Sequence, residues 1–159
     1  MQALNGTYYC KMDAKGRIML PAELRKQFAD MQMENFVLKR AIFHNRLEMY
    51  PVKIWDKILG KLSKLSRFKK KNVDFTTYFL AGARNVSVDS TGRMQVPKDL
   101  VNLANLKKEI VLAANINTLQ VWSKEAYDAF LKEVSLEDFS DLAEEVMGDV
   151  DIDFEEDDE

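Results

Sequence analysis

One cysteine, Cys10, and one histidine, His44, occur among the 159 residues. A lone thiol cannot close an internal disulfide, and one thiol with one imidazole makes neither a metal-ligand set nor a nucleophile and base pair. Cys10 lies in a strand-forming run and is expected to be a small packed hydrophobe. His44 falls in a hairpin loop and is expected at the surface. No apolar run approaches the ~20 residues of a membrane span. The opening Met1-Gln2-Ala3-Leu4-Asn5 lacks the charged and apolar regions of a signal peptide, so the expected compartment is the cytoplasm. The turns at Gly16 and Gly92 lack the second glycine and the following Lys-Ser/Thr of a phosphate loop. The chemistry missing here leads to the expectation of a non-enzyme without cofactor or metal.

Bases are absent from the end of the chain. All 23 Lys and Arg residues lie within residues 1–132 beside 12 of the 26 acids, whereas Glu133 to Glu159 holds 14 acids and no base. The net charge of −3 therefore conceals a basic body and an acidic tail. Such a body points to a polyanionic partner such as nucleic acid, with the tail as a solvated or regulatory appendage. Residues 1–76 carry 16 bases against 7 acids, and residues 77–132 carry 7 against 5, so the first half is the more basic.

What the chain does contain is an internal repeat. Asp13-Ala14-Lys15-Gly16-Arg17-Ile18-Met19-Leu20-Pro21 returns 76 residues later as Asp89-Ser90-Thr91-Gly92-Arg93-Met94-Gln95-Val96-Pro97. Each copy predicts a tight turn and a strand: Asp holds the turn's N–H groups, Gly takes a positive φ, and Pro stops the strand and opens a helix. Leu24 matches Leu100. Phe36-Val37-Leu38 answers Ile110-Val111-Leu112, and Leu47-Glu48-Met49-Tyr50 answers Leu119-Gln120-Val121-Trp122, after short gaps between elements. Two copies of so small a unit are expected to share one core.

Taken in order, Thr7 to Met12 predicts a strand, Arg17 to Leu20 its return, and Ala22 to Phe28 a helix with Leu24 and Phe28 on one face. A hairpin follows at Asn35–Lys39 and Arg46–Tyr50. After Pro51, Ile54, Ile58, Leu62 and Leu65 recur at helical spacing, opposite Lys53, Lys57, Lys61 and Lys64, which are expected to form a solvated face. Arg67-Phe68-Lys69-Lys70-Lys71 concentrates charge in a loop, as a phosphate contact or a solubilising linker. Residues 72–83 predict a second linker helix carrying Val73, Phe75, Phe79 and Leu80 into the core. Ser123 and Ser135 are expected helix N-caps, with Ala126, Tyr127, Phe130 and Leu131 on the buried side of the first of those helices. The expected divisions are a first module at 4–52, a helical linker at 53–83, a second module at 84–127, C-terminal helices at 128–147 and a disordered acidic tail at 148–159.

The doubled Asp-x-x-Gly-Arg-x-x-x-Pro signature, the helical linker between its copies and the Leu-x-x-Trp strand end at Leu119 and Trp122 resemble the MraZ family. These are bacterial regulators built from two tandem AbrB-like modules. The resemblance covers roughly residues 4 to 147. It implies an α+β fold in which two swapped-hairpin β-barrel modules form an intramolecular pseudo-dimer, joined and flanked by helices. It also implies a ring-shaped homo-oligomer that binds double-stranded DNA at short direct repeats upstream of a division and cell-wall gene cluster, hence a place at the nucleoid. The arginine of the first signature turn is central to binding in that family, and here it is Arg17.

The residues themselves support two roles for the turns. Asp13 and Asp89, with Gly16 and Gly92, are expected to be structural, the carboxylates binding N–H groups of their own turns. Lys11, Lys15, Arg17, Arg25 and Lys26 are expected to cluster around one hairpin as a basic patch, and repeat two keeps only Arg84, Arg93 and Lys98. Arginine grips phosphate or guanine with a planar fork, and a two-stranded ribbon fits the major groove. Lys11, Lys15, Arg17, Arg25, Lys26, Arg84 and Arg93 are therefore the candidate DNA-binding residues. A competing expectation from a different class is a protein-interaction module of antitoxin type, whose acidic tail binds a basic partner.

Overall fold

The three prolines perform the same local task. Pro21, Pro51 and Pro97 each precede a helix with φ near −56° and ψ near 142°: the recorded pairs are −57/143, −55/141 and −57/141. The ring fixes φ and removes the N–H that a strand needs, so the extended chain ends there and a helix begins. The computed structural model describes residues 3–149. The described elements are β1 (Thr7–Lys11), β2 (Arg17–Met19), α1 (Ala22–Asp30), β3 (Asn35–Arg40), β4 (Leu47–Pro51), α2 (Val52–Leu62), α3 (Lys70–Leu80), β5 (Arg84–Ser87), β6 (Arg93–Gln95), α4 (Lys98–Leu103), β7 (Glu109–Asn115), β8 (Thr118–Ser123), α5 (Lys124–Lys132) and α6 (Leu136–Met147).

Six strands form one antiparallel sheet in the order β1-β7-β8-β4-β3-β5, and β2 pairs with β6 as a separate ribbon. The first strand of each repeat lies on the hairpin of the other: β1 on β7, and β5 on β3. The two hairpins meet directly through β4 and β8. The expected β-barrel modules are not closed barrels here. Each repeat holds too few strands to close alone, and the β4–β8 ladder joins their hairpins into one open sheet, whose pairing with the ribbon is limited to the single bridges Met12↔Ile18 and Val88↔Met94 among the described residues.

One core serves both repeats. Ile18, Leu20, Leu24, Phe36, Leu38, Leu47 and Met49 are buried together with Met94, Val96, Leu100, Ile110, Leu112, Leu119 and Val121. Period-2 alternation turns Ile18 and Met94 from the ribbon toward this core, while α1 and α4 each insert a leucine at the matched position, Leu24 and Leu100. Burial of each such leucine contributes about 2 kcal/mol.

A smaller cluster lies beyond it, where Val37 and Tyr50 of the sheet meet Trp55 of α2 and Phe79 of α3. Beside it, Lys39 is almost wholly buried. Its Nζ donates to the Arg40 carbonyl at 2.6 Å and lies 4.4 Å from the centre of the Phe79 ring. Glu48 stands opposite Lys39 in the ladder, accepts from Tyr50 Oη, and meets Arg46 Nη2 at 3.2 Å. Burial lowers the Lys39 pKa, while the Tyr50 hydroxyl is raised first by burial and then by its bond to Glu48.

Helix α3 departs from expectation. Phe79 packs inward, but Val73, Phe75 and Leu80 remain substantially exposed. α3 meets the sheet and α2 through Phe79, beside Trp55 and Lys39, and through Tyr78, under Arg40, so its remaining apolar positions outnumber the surface that covers them. Leu131 of α5 is likewise exposed. Ser135 Oγ accepts the Asp138 N–H at 3.1 Å at the start of α6. The strands and α1–α4 belong to one compact unit ending at Tyr127, and α6 belongs to a second that begins at Asp128. From residue 150 onward the expected acidic tail lies outside the described residues. Among the described residues, no helix is long and apolar enough to cross a membrane.

Candidate nucleic-acid interface

In the first turn, Asp13 Oδ1 accepts the N–H groups of Lys15 and Arg17, both at 2.9 Å. In the second, Asp89 Oδ1 accepts those of Thr91 at 2.9 Å and Arg93 at 3.0 Å. Gly16 and Gly92 close the turns at φ +81° and +86°, a region that costs other residues about 1–2 kcal/mol. The Arg17 backbone N–H is the main cause that holds the Asp13 carboxyl below its ordinary pKa; for Asp89 it is the Thr91 hydroxyl, at 2.6 Å, followed by the Arg93 N–H. Both groups are therefore acceptors only, and each sets a negative charge beside its arginine.

The arginines are held differently. Arg17 Nε donates to Asp13 Oδ2 at 2.7 Å. Arg93 Nε instead meets Thr91 Oγ1 at 3.1 Å and stands 3.8 Å from Asp89 Oδ2. Anchoring at Nε leaves the end-on edge of the guanidinium, with its two Nη groups, for a planar acceptor pair. Both arginines stand on the ribbon, where Arg17 lies opposite Gln95 and Met19 opposite Arg93. With Ile18 and Met94 turned inward, the other face presents Arg17, Met19, Arg93 and Gln95.

The structure does not keep the five bases of repeat one around one hairpin. Arg25 lies over the second turn: a Cβ built on Gly92 would meet its Cδ and Nη1 at 2.7 Å. The ribbon explains this. Leu20 N–H bonds to the Gly92 carbonyl at 2.9 Å, so the end of β2 runs beside the turn of repeat two and α1 starts above it. Arg25 Nε then donates to the Leu20 carbonyl at 3.2 Å. The symmetric bond, Val96 N–H to the Gly16 carbonyl at 2.9 Å, places Val101 at the equivalent position over Gly16. Each turn thus keeps an added base: Lys15 in the first, and Arg25, delivered from the other repeat, at the second.

The remaining candidates are dispersed. Lys11 is exposed on β1, opposite Glu109. Lys26 is exposed on α1, and Lys98 begins α4. Arg84 Nη2 is paired with Asp99 Oδ2 at 2.8 Å. Met19 and Gln95 were not singled out from the sequence, although they are equivalent positions of the repeat and alternation places them on the arginine face. Gln95 Nε2 donates to the Lys15 carbonyl at 2.6 Å, tying the ribbon to the first turn.

A family model described as "MraZ protein, putative antitoxin-like" matches residues 3–77 and 79–150. The chain belongs to the MraZ family. The two matched MraZ segments begin 76 residues apart, from 3 to 79, which is the offset of the turn motifs. A relative from Christiangramia forsetii named "Transcriptional regulator MraZ" is 51% identical over 150 residues, 94% of this chain and 96% of its own. A second with the same name, from Flavobacterium psychrophilum, is 48% identical over 94% of this chain and 95% of its own. The MraZ relative from Leuconostoc citreum is 32% identical over 94% and 98%.

Proposed function

We propose that this MraZ-family chain is a sequence-specific regulator of transcription that sets the outer face of the β2–β6 ribbon into the major groove of double-stranded DNA. The observation that carries the reading is the placement of Arg17 and Arg93 at repeat-equivalent positions on one exposed ribbon, each anchored through Nε. A two-stranded ribbon has the width of the major groove, and an Arg fork matches guanine O6 and N7. Lys15 and Arg25 flank the two ends as phosphate contacts, which position the protein without reading sequence. The names of the MraZ relatives support regulation of transcription. The family resemblance extends the reading to direct repeats upstream of a division and cell-wall gene cluster, in the cytoplasm at the nucleoid. It also extends it to a ring-shaped homo-oligomer, which raises affinity for repeated sites through effective concentration.

The test is binding of the full chain to a promoter fragment carrying the direct repeats and to a shuffled fragment of equal length. Arg17→Ala should lose roughly tenfold or more on the first, since a bidentate guanine contact is worth about 1–3 kcal/mol. Circular dichroism and light scattering should stay as in the parent. Equal affinity for both fragments, or unchanged affinity of the variant, refutes the reading.

A further inference from the structure

Two helical surfaces of opposite charge hold several of the apolar side chains left exposed. α2 and α3 form a helical hairpin in which Leu59 and Leu62 of α2, Val73 and Leu80 of α3 and Leu65 of their connection line an open cleft of about 590 Å³. The tip of this hairpin is basic: Lys61, Lys64, Arg67, Lys69, Lys70 and Lys71 are all exposed. Asp74, the acid beside them, is bound to Lys70 Nζ at 2.5 Å. α6 has the complementary character. Leu136, Phe139, Leu142 and Val146 recur at spacings of three and four residues and are 90%, 61%, 48% and 62% exposed. Its other positions include Glu137, Asp138, Asp141, Glu144 and Glu145, with no base.

We propose that α6 of one copy docks its apolar stripe into the α2–α3 cleft of a second copy, its acids meeting the basic rim. The dimensions agree: at 1.5 Å per residue, the 12 residues of α6 span about 18 Å and the 11 of α2 or α3 about 16 Å. An apolar helix side in an apolar groove is a standard helix-in-groove contact, read as anchors at i, i+3 and i+7. Nucleic acid does not fit the cleft. A phosphate backbone would satisfy the rim lysines but leave the leucines wet. The contact also accounts for why α3 carries Val73 and Leu80 at helical spacing without burying them inside the protomer. Because α6 and the cleft are different surfaces, the contact is heterologous, and repetition of it generates a closed ring when the rotation allows. The proposal rests on the homo-oligomer reading above and is independent of the DNA reading.

Two single-cysteine chains test it, both made in a Cys10→Ser background. One carries Leu142→Cys on α6, the other Val73→Cys in the cleft. Mixed and oxidised, they should give a disulfide-linked dimer holding one chain of each kind, and neither chain oxidised alone should give a comparable product. In parallel, Phe139→Glu should lose the assembled species in light scattering while circular dichroism stays as in the parent. Glu137→Lys with Glu144→Lys should lose it too, and so should Lys61→Glu with Lys64→Glu; combining both pairs should restore it. An oligomer that forms no mixed disulfide and ignores these substitutions overturns the docking alone. A parent chain that stays monomeric overturns the docking and the homo-oligomer reading together. Lysine variants that change DNA affinity but leave the assembled mass intact assign the rim to nucleic acid and overturn it as well.

Discussion

Ile18 and Met94 face each other across the β2–β6 ladder, and they are the same position of the two repeats, 76 residues apart. In an antiparallel pair, two equivalent residues can stand opposite only where a twofold relation passes between them. Glu48 and Gln120, also equivalent, face each other in the β4–β8 ladder. One pseudo-twofold axis therefore runs through the ribbon and the sheet. It relates the two arginines of the ribbon as it relates the two halves of the core.

The repeats differ at the turn, and the difference should appear in binding. Arg17 is held by a carboxylate at 2.7 Å and has Lys15 beside it, whereas Arg93 is 3.8 Å from its carboxylate and has Thr91 in place of the lysine. Arg17→Ala should therefore weaken promoter binding more than Arg93→Ala, measured side by side in one titration. An equal or larger loss for Arg93 refutes the asymmetry.

Arg25 should behave as a phosphate contact at the second turn. Arg25→Ala should weaken binding to all sequences alike and reduce the slope of log affinity against log salt by about 0.9, the contribution of one phosphate neutralised on B-DNA. An unchanged slope removes Arg25 from the interface.

Glycines separate conformational need from available space. Gly92→Ala forces a side chain to φ +86° and drives it into Arg25, so it should destabilise by at least about 1–2 kcal/mol in urea denaturation. Gly60, within α2, has nothing within 4 Å of a built Cβ. Gly60→Ala should stabilise by about 0.5–1 kcal/mol, the ordinary helical preference for alanine.

The turn aspartates set the acid response. Both carboxyls titrate below their ordinary value in the folded chain, so the stability they contribute is complete above the ordinary aspartate range near pH ~3.9 and is lost as pH falls through the lowered folded value. The melting temperature should drop more steeply on the acid side for the parent than for Asp13→Asn. Superimposable profiles would mean that the turn carboxylate contributes nothing.

The buried charge on the sheet gives an asymmetric pair of outcomes. Glu48→Ala leaves Lys39 and Arg46 without their shared acid and should cost about 3 kcal/mol. Lys39→Met replaces a buried cation by an apolar chain of similar length and should be near neutral, because Arg46 and Tyr50 still satisfy Glu48. Urea midpoints of the two variants provide the comparison.

The sequence by itself determined the repeat, its offset, the turn chemistry at Asp13 and Asp89, the family and the basic character of the body. These are local or periodic properties: a turn needs its Asp and Gly at fixed spacing, and a helix shows its apolar residues every three or four positions. Tertiary structure decided which strand lies beside which. Period-2 alternation assigns Ile18 a face but names no partner, so the pairing of β1 with β7, the open sheet in place of two barrels, and the arrival of Arg25 over Gly92 all depended on long-range register. It also decided burial where composition misleads. Lys39 sits inside because Glu48 and Phe79 converge on it from other elements, while Val73 and Leu80 stay partly outside because the cleft they share with α2 remains open.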